Sequence, residues 1–377
     1  MPALATNQSC TGCTACAAVC PRGCIVMTAD ADGFCHPVID ESGCVGCGLC
    51  EKVCPVLADD RPDHVPGAFA AMSRDTGVRM GSSSGGVFTE LSRLILAQGG
   101  AVFGAVYDEQ FRVVHTVTED ENGLAPMRGA KYAQSDLDGI FADVKRRLSR
   151  GQQVLFSGTP CQVEGLLAFL GKTHANLTTV DFVCHSVPSP MAWQEYVRSL
   201  GEIKAIELRA KDTGWSRYRY CHRIEDANGV RLIPNSENLF MKLFVGNYIN
   251  RLSCAQCRFK GYARRSDLTI GDFWGIWDIA PEMDDDRGTS VVLVQSEKGR
   301  ALWELLTDRL ITASVSLEEA SRQNPAMLVS SPLPRERENI LEKLRQGRLA
   351  ACAALFEERK PSIYQRIRTR IQRILKR

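Results

Sequence analysis

The sequence predicts an α+β chain in three parts: a small cysteine-rich module over residues 1–58, a larger mixed α/β domain over residues 67–335, and a helical, basic, amphipathic tail over residues 336–377. Three observations predict it. One cysteine spacing occurs twice within the first 54 residues, apolar runs alternate with helical periodicity from Ala68 onward, and the pattern turns helical and polar past Pro334.

The run Cys10-x2-Cys13-x2-Cys16-x3-Cys20-Pro21 recurs 34 positions later as Cys44-x2-Cys47-x2-Cys50-x3-Cys54-Pro55. Ten of the 16 cysteines lie before residue 55, in a spacing that reads as metal ligation in a reducing compartment and not as a disulfide framework. It is the spacing of a bacterial-type ferredoxin with two 4Fe-4S clusters. Each cube needs four thiolates; one tight run supplies three, and the last cysteine of the other run supplies the fourth. Cys10, Cys13, Cys16 and Cys54 are therefore expected around one cluster, and Cys44, Cys47, Cys50 and Cys20 around the second. Structural zinc would use four ligands in two Cys-x2-Cys knuckles, a pattern that eight cysteines in this register do not match. Gly12, Gly46 and Gly48 let backbone approach the sulfides, and Pro21 and Pro55 redirect the chain. Cys24 and Cys35 fall outside the register and are expected as buried thiols. The polar stretch from Ala58 to Gly67, with two prolines, reads as a linker.

In the domain that follows, strands are expected at Ala101 to Val106, Val154 to Phe156, Thr179 to Val183 and Val291 to Val294. Helices are expected at Val87 to Ala97, Leu137 to Arg150, Val163 to Leu170 and Ala301 to Leu310. Ala205 to Pro234 reads as extended chain turning at Asn228-Gly229, which makes the sheet mixed.

Several constellations here carry chemistry. Cys161 and Cys184 lie just past predicted strand ends, where α/β folds place ligands. With the pair Cys254-x2-Cys257 they suit a third 4Fe-4S site, a structural zinc site, or no site. The run from Gly81 to Thr89 leads into a helix, so it reads as a phosphate cradle or as a plain N-cap loop. Lys131 and Tyr132 offer a charge and a stacking surface to a planar anion, although surface chemistry explains them equally. Trp274 and Trp277 follow a predicted strand and read as core.

The tail ends in a helix-forming segment with isoleucines at 363, 367, 371 and 374 on one face and arginines and lysines on the others. That composition suits an anionic membrane surface, or an apolar stripe docked on the protein itself. A net charge of +2 from 46 basic and 44 acidic residues gives no support to nucleic-acid binding. The start carries no secretory signal, and no stretch approaches the ~20 apolar residues of a membrane span. The expected location is the cytoplasm, with the tail at the inner membrane face. No hydrolase triad, P-loop lysine or His-Glu-x-x-His motif is present.

Taken together, the ferredoxin pair, Gly81 to Thr89, Lys131-Tyr132, Thr159-Pro160-Cys161-Gln162, Cys184-His185, Cys254-x2-Cys257 and Gly271-Asp272-Phe273-Trp274-Gly275 resemble the coenzyme F-420 hydrogenase/dehydrogenase beta-subunit family. The resemblance runs from residue 10 to about residue 330. It implies FAD beside an iron–sulfur cluster in a flavin-binding domain, with Ser84, Gly85, Gly86, Thr89, Lys131, Tyr132 and Ser135 at the flavin. It also implies that Cys161, Cys184, Cys254 and Cys257 ligate a third 4Fe-4S cluster. The expected activity is an oxidoreductase relaying electrons between a two-electron substrate, coenzyme F-420 or another acceptor, and soluble ferredoxin or a redox partner protein. Nothing resembles nickel-binding cysteines, so hydrogen chemistry is not expected of this chain. The competing readings are a non-catalytic electron-transfer subunit docking on a partner enzyme, and a membrane-associated accessory protein whose clusters are structural.

Overall fold

Strands form where the apolar runs predict them in a computed structural model whose described residues are 2–58 and 60–357. In the module, β1 (Ile25–Ala29) and β2 (Cys35–Ile39) pair antiparallel. The following domain contributes β3 (Gly67–Ser73), β4 (Ala101–Tyr107), β5 (Val113–Thr118), β6 (Val154–Gly158) and β7 (Leu177–Phe182). Then come β8 (Ile203–Ala210), β9 (Cys221–Asp226), β10 (Gly229–Pro234), β11 (Leu268–Asp272), β12 (Ser290–Val294) and β13 (Leu310–Ser314).

Eight of these strands make one mixed sheet in the order β13-β3-β12-β11-β7-β6-β4-β5. Its centre, β11-β7-β6-β4, is parallel, and the flanking pairs are antiparallel. Parallel strands are covered on both faces and so read as continuous apolar runs. Val154, Leu155 and Phe156 are fully buried but face alternately. Val154 and Phe156 pack with Phe141 and Leu166 of the helices Ile140–Ser149 and Pro160–Leu170, whereas Leu155 packs with Leu91 and Ile95 of the helix Val87–Leu96.

Two elements differ from the sequence reading. The extended stretch from Ala205 to Pro234 does turn before Gly229, but β8, β9 and β10 form a separate three-stranded antiparallel sheet and do not extend the main one. The helix expected over Ala301 to Leu310 is Glu297–Leu305, because Ser296 caps it earlier by accepting from the Gly299 amide at 2.9 Å. Leu310 instead opens β13, opposite Ser73.

The module shares a core with the domain: Cys13, Ala15 and Val53 pack in the cluster that holds Val163 and Leu166. The helix Arg337–Arg345 buries Ile340, Leu341 and Leu344 beside Trp193 and Phe240. Arg345 also reaches the module's hairpin loop, donating through Nε to Asp32 at 2.8 Å. The basic amphipathic segment Pro361 to Arg377 lies outside the described residues. Among those residues, no helix is long and apolar enough to cross a membrane.

Asp181 occupies the middle of the parallel strands, opposite Gly158 and Thr269, and is 1% exposed. Burial pushes its carboxyl from 3.8 up to about 6, against the lowering effect of the Arg264 guanidinium and the hydroxyls of Thr269 and Ser266. A raised folded-state value means that the neutral acid is favoured by folding. The resulting stability is complete below the unfolded value and is lost as pH rises through about 6. Relative to Asp181→Asn, the wild type is expected to lose on the order of 1 kcal/mol between pH 5 and pH 8. Anaerobic denaturant midpoints of the two proteins at both pH values measure this, and a pH-independent difference would contradict it.

Candidate redox site

Each cysteine run of the module winds through left-handed turns at repeat-equivalent positions. Gly12 and Gly46 have φ of 69° and 67°, while Thr14 and Gly48 have 67° and 70°. A Cβ at Gly12 would displace the Gln134 amide and stand 3.0 Å from the Cys35 carbonyl, on a backbone whose φ of 69° already strains other residues. Cys13 and Cys16 are electrostatic neighbours of each other and of Cys10, and Cys16 also neighbours Cys54. Burial pushes the Cys16 thiol up to about 12, with Cys10 and Cys54 adding to it. On the other side, Cys20, Cys44, Cys47 and Cys50 line one small cavity. Cys24, one of the two cysteines outside the register, also borders that cavity, its Sγ 3.4 Å from that of Cys20. The other, Cys35, is half-buried on β2. The Cys20 set reaches the surface at the exposed Cys47, whereas Cys13 is buried against the domain core.

Four cysteines of the domain come together from three separate segments. Cys161 is the second residue of the helix Pro160–Leu170, which starts directly after β6 behind a Thr159/Gln162 capping box. Cys184 lies two residues past β7, the strand beside β6. Cys254 sits in the 3-10 turn Leu252–Gln256, and Cys257 follows it. The charge of each of the pair Cys254 and Cys257 reaches both Cys161 and Cys184. Burial pushes Cys161 up to about 12 and Cys254 up to about 11. Burial raises Cys184 as well, and three thiols that ionise this reluctantly suit a partner that supplies positive charge, as cluster iron does. Among the described residues, no three His, Cys, Asp or Glu are gathered tightly enough for a single ion. A four-iron cube instead takes one sulfur at each of four corners.

The cysteine groups approach each other at Gly165, one turn along the Cys161 helix. A Cβ on Gly165 would lie 2.9 Å from both Cβ and Sγ of Cys13, and Cys161 is among the charges that act on Cys13.

A cavity of about 820 Å³ opens over the carboxyl ends of the parallel strands, and Cys161 and Cys184 form part of its wall. Of the residues that the resemblance assigns to a flavin, Ser84, Gly86, Lys131, Tyr132 and Ser135 line it. Gly85 and Thr89 do not line it. Gly85 is pressed into the sheet, where a Cβ would meet the Ala71 carbonyl at 2.2 Å, and its amide donates to Ser290 Oγ. Thr89 faces inward from the helix at 1% exposure. Trp274 lines the cavity, whereas Trp277 packs beside the core formed by Phe273 and Ile276.

The serine loop is held from outside. Lys211 Nζ donates to the carbonyls of Ser84 and Arg287 at 2.7 Å and of Arg79 at 2.6 Å, and Ser84 Oγ donates to the Thr289 carbonyl at 2.8 Å. The Ser84 carbonyl is thus held by Lys211, while Ser82, Ser83, Ser84 and the first helical residues Val87 and Phe88 line the cavity. Burial pulls Lys131 down to about 7, opposed by the charge of Glu207; its Nζ donates to the Arg128 carbonyl at 2.6 Å.

Other wall residues carry no motif and are invisible in the sequence. Arg209 on β8 pairs with Asp272 at 2.8 Å and lies 4.2 Å from the Tyr220 ring centroid and 4.9 Å from that of Trp274. His115 donates through Nε2 to the Ser157 carbonyl at 2.9 Å, and burial pulls it down to about 4, so it is neutral. Buried polar atoms without a protein partner line the same cavity: Thr11 Oγ1, His115 Nδ1, Arg128 Nε, Ser186 Oγ, Arg209 Nε and Arg217 Nε. Native interiors rarely leave such groups unmatched, so this set fits a polar ligand.

Fold and cysteine sets together define an iron–sulfur electron-transfer oxidoreductase. Residues 9–58 match the family model of the 4Fe-4S dicluster domain, and residues 151–319 match that of the C terminus of the coenzyme F420 hydrogenase/dehydrogenase beta subunit. The chain thus joins a 4Fe-4S dicluster domain at residues 9–58 to a region similar to the C terminus of that beta subunit at residues 151–319. Among solved structures, one similar chain belongs to the F420-reducing [NiFe] hydrogenase complex from Methanosarcina barkeri. It is 18% identical over 80% of this chain and 96% of that one, at a TM-score of 0.47. No curated protein matches.

Proposed function

We propose that the chain handles a two-electron substrate at a flavin in the 820 Å³ cavity and passes single electrons through three 4Fe-4S clusters to a carrier protein. The observation that carries this reading is the shared wall: Cys161 and Cys184 border the cavity, and the helix of Cys161 lies against Cys13 of the module. A flavin supplies the exchange between two-electron and one-electron chemistry. The cavity volume is in the range of cofactor sites. Ser83 offers a hydroxyl, those of Ser82 and Ser84 being given to the Val78 and Thr289 carbonyls, and Ser84 and Gly86 offer close backbone approach to FAD phosphates; Lys131 offers a charge, and the aromatic rings of Tyr132 and Trp274 offer stacking faces.

The proposed ligand sets are Cys10, Cys13, Cys16 and Cys54 for the inner module cluster, Cys20, Cys44, Cys47 and Cys50 for the outer one, and Cys161, Cys184, Cys254 and Cys257 for the third. The exposed Cys47, flanked by exposed Val45 and Leu49, marks the end at which soluble ferredoxin or another redox protein would dock. Coenzyme F-420 or another two-electron acceptor is the proposed substrate class.

Anaerobic purification with iron and flavin analysis tests the reading. The expected result is about twelve irons and one flavin per chain, falling to about eight irons in Cys161→Ala. Full iron without flavin would leave a non-catalytic electron-transfer subunit, and about eight irons in the wild type would remove the third cluster.

A further inference from the structure

We propose that Lys260 sets the reduction potential of the cluster held by Cys161, Cys184, Cys254 and Cys257, acting through its charge and not as a ligand. The proposal rests on the third-cluster reading above. Lys260 Nζ donates to the carbonyl of Cys184 at 2.5 Å, to that of Ala326 at 2.6 Å and to that of His185 at 3.4 Å. Its partners are all carbonyls. Among the described residues no carboxylate pairs with it, in contrast to Arg209, which has Asp272, and Arg79, which has Asp285.

A half-buried cation without a counter-charge is costly, and proteins meet that cost with an anion or by neutralising the group. The cysteine set provides the anion. Four thiolates around a 4Fe-4S cube carry a net negative charge, and reduction adds one more. The Lys260 charge reaches both Cys184 and Cys254. It therefore stabilises the reduced cluster more than the oxidised one, which raises the potential and draws electrons toward the cavity wall.

A second cation, Arg251, also acts on Cys161 and Cys254, and among the described residues no carboxylate pairs with it. It is bonded to the Cys10 and Cys35 carbonyls as well, so replacing it disturbs the module. The head group of Lys260 touches none of the module cysteines. It is the position where charge can be changed at the third cluster alone.

The experiment is an anaerobic redox titration of the full-length holoprotein followed by electron paramagnetic resonance, with iron counted in every sample. Lys260→Met is expected to shift the reduction equilibrium of the third cluster about tenfold toward the oxidised form, which is 59 mV for one electron. The two module clusters should hold their potentials, and Lys260→Arg should stay close to the wild type. If Lys260→Met loses the iron of that site, Lys260→Gln keeps donors for the carbonyls, removes only the charge, and should show the same shift. An unchanged potential in a variant with full iron overturns the proposal, as does an equal shift in Lys260→Arg. About eight irons in the wild type overturns instead the three-cluster reading beneath it.

Discussion

Valine at position 165 is expected to slow electron passage between module and domain severalfold while leaving most of the iron in place. Gly165 sits inside the helix Pro160–Leu170, where glycine costs up to about 1 kcal/mol relative to alanine. It is there because nothing larger fits: even a Cβ would stand 2.9 Å from the Cys13 side chain, which is buried and belongs to the inner cysteine set. Valine adds two further methyls to a closed contact, and such overpacking typically costs about 1–3 kcal/mol. The strain is relieved most readily by displacing the module's loop from the helix. Electron tunnelling weakens exponentially with the gap between donor and acceptor, so even a small displacement slows it severalfold. Stopped-flow absorbance at the clusters, with electrons introduced at the cavity side, measures the rate. A Gly165→Val protein with wild-type iron and a wild-type rate would remove this contact from the proposed path.

Arg251→Ala is expected to cause the largest loss of stability, about 3–5 kcal/mol. The side chain is 1% exposed and joins the two parts of the chain. Its Nε donates to the Cys10 carbonyl at 2.8 Å, one Nη to Gln134 at 2.7 Å and the other to the Cys35 carbonyl at 2.9 Å, and the guanidinium stacks 5.3 Å from the Phe34 ring centroid. Removing it leaves buried acceptors without donors, at about 1–3 kcal/mol each and not fully additive. Arg251→Lys keeps the charge but loses the fork, so it should fall between the two. Denaturant midpoints of the anaerobic holoproteins measure the series; a loss below about 1 kcal/mol in Arg251→Ala would show that this residue does not secure the module.

Cysteine spacing made the module legible in the sequence, because short intervals and tight turns carry ligand geometry locally. The repeat even aligns Gly12 with Gly46 and Thr14 with Gly48, all four in left-handed turns. Continuous apolar runs such as Val154-Leu155-Phe156 marked the buried parallel strands for a similar local reason. The cavity was legible only in part. Ser84, Gly86, Lys131, Tyr132 and Ser135 line it, but Gly85 and Thr89 point into packing because helix and sheet close over them. Arg209, Arg217 and His115 lack any motif, since each lies on a different segment and meets the others only at the strand ends.

By itself the sequence pointed to a 4Fe-4S ferredoxin domain through eight cysteines in a repeated register, and to an α/β domain following it. Tertiary structure alone decided that Cys13 lies against the Cys161 helix through the missing side chain of Gly165, and that Cys161 and Cys184 border one cavity. It also decided that Lys260 and Arg251 act on the third cysteine set, with no carboxylate paired to either among the described residues. The physical reason is range: ligand spacing is written in intervals of a few residues, whereas the approach of distant segments depends on the strand order β11-β7-β6-β4 and on what each contact has room to hold.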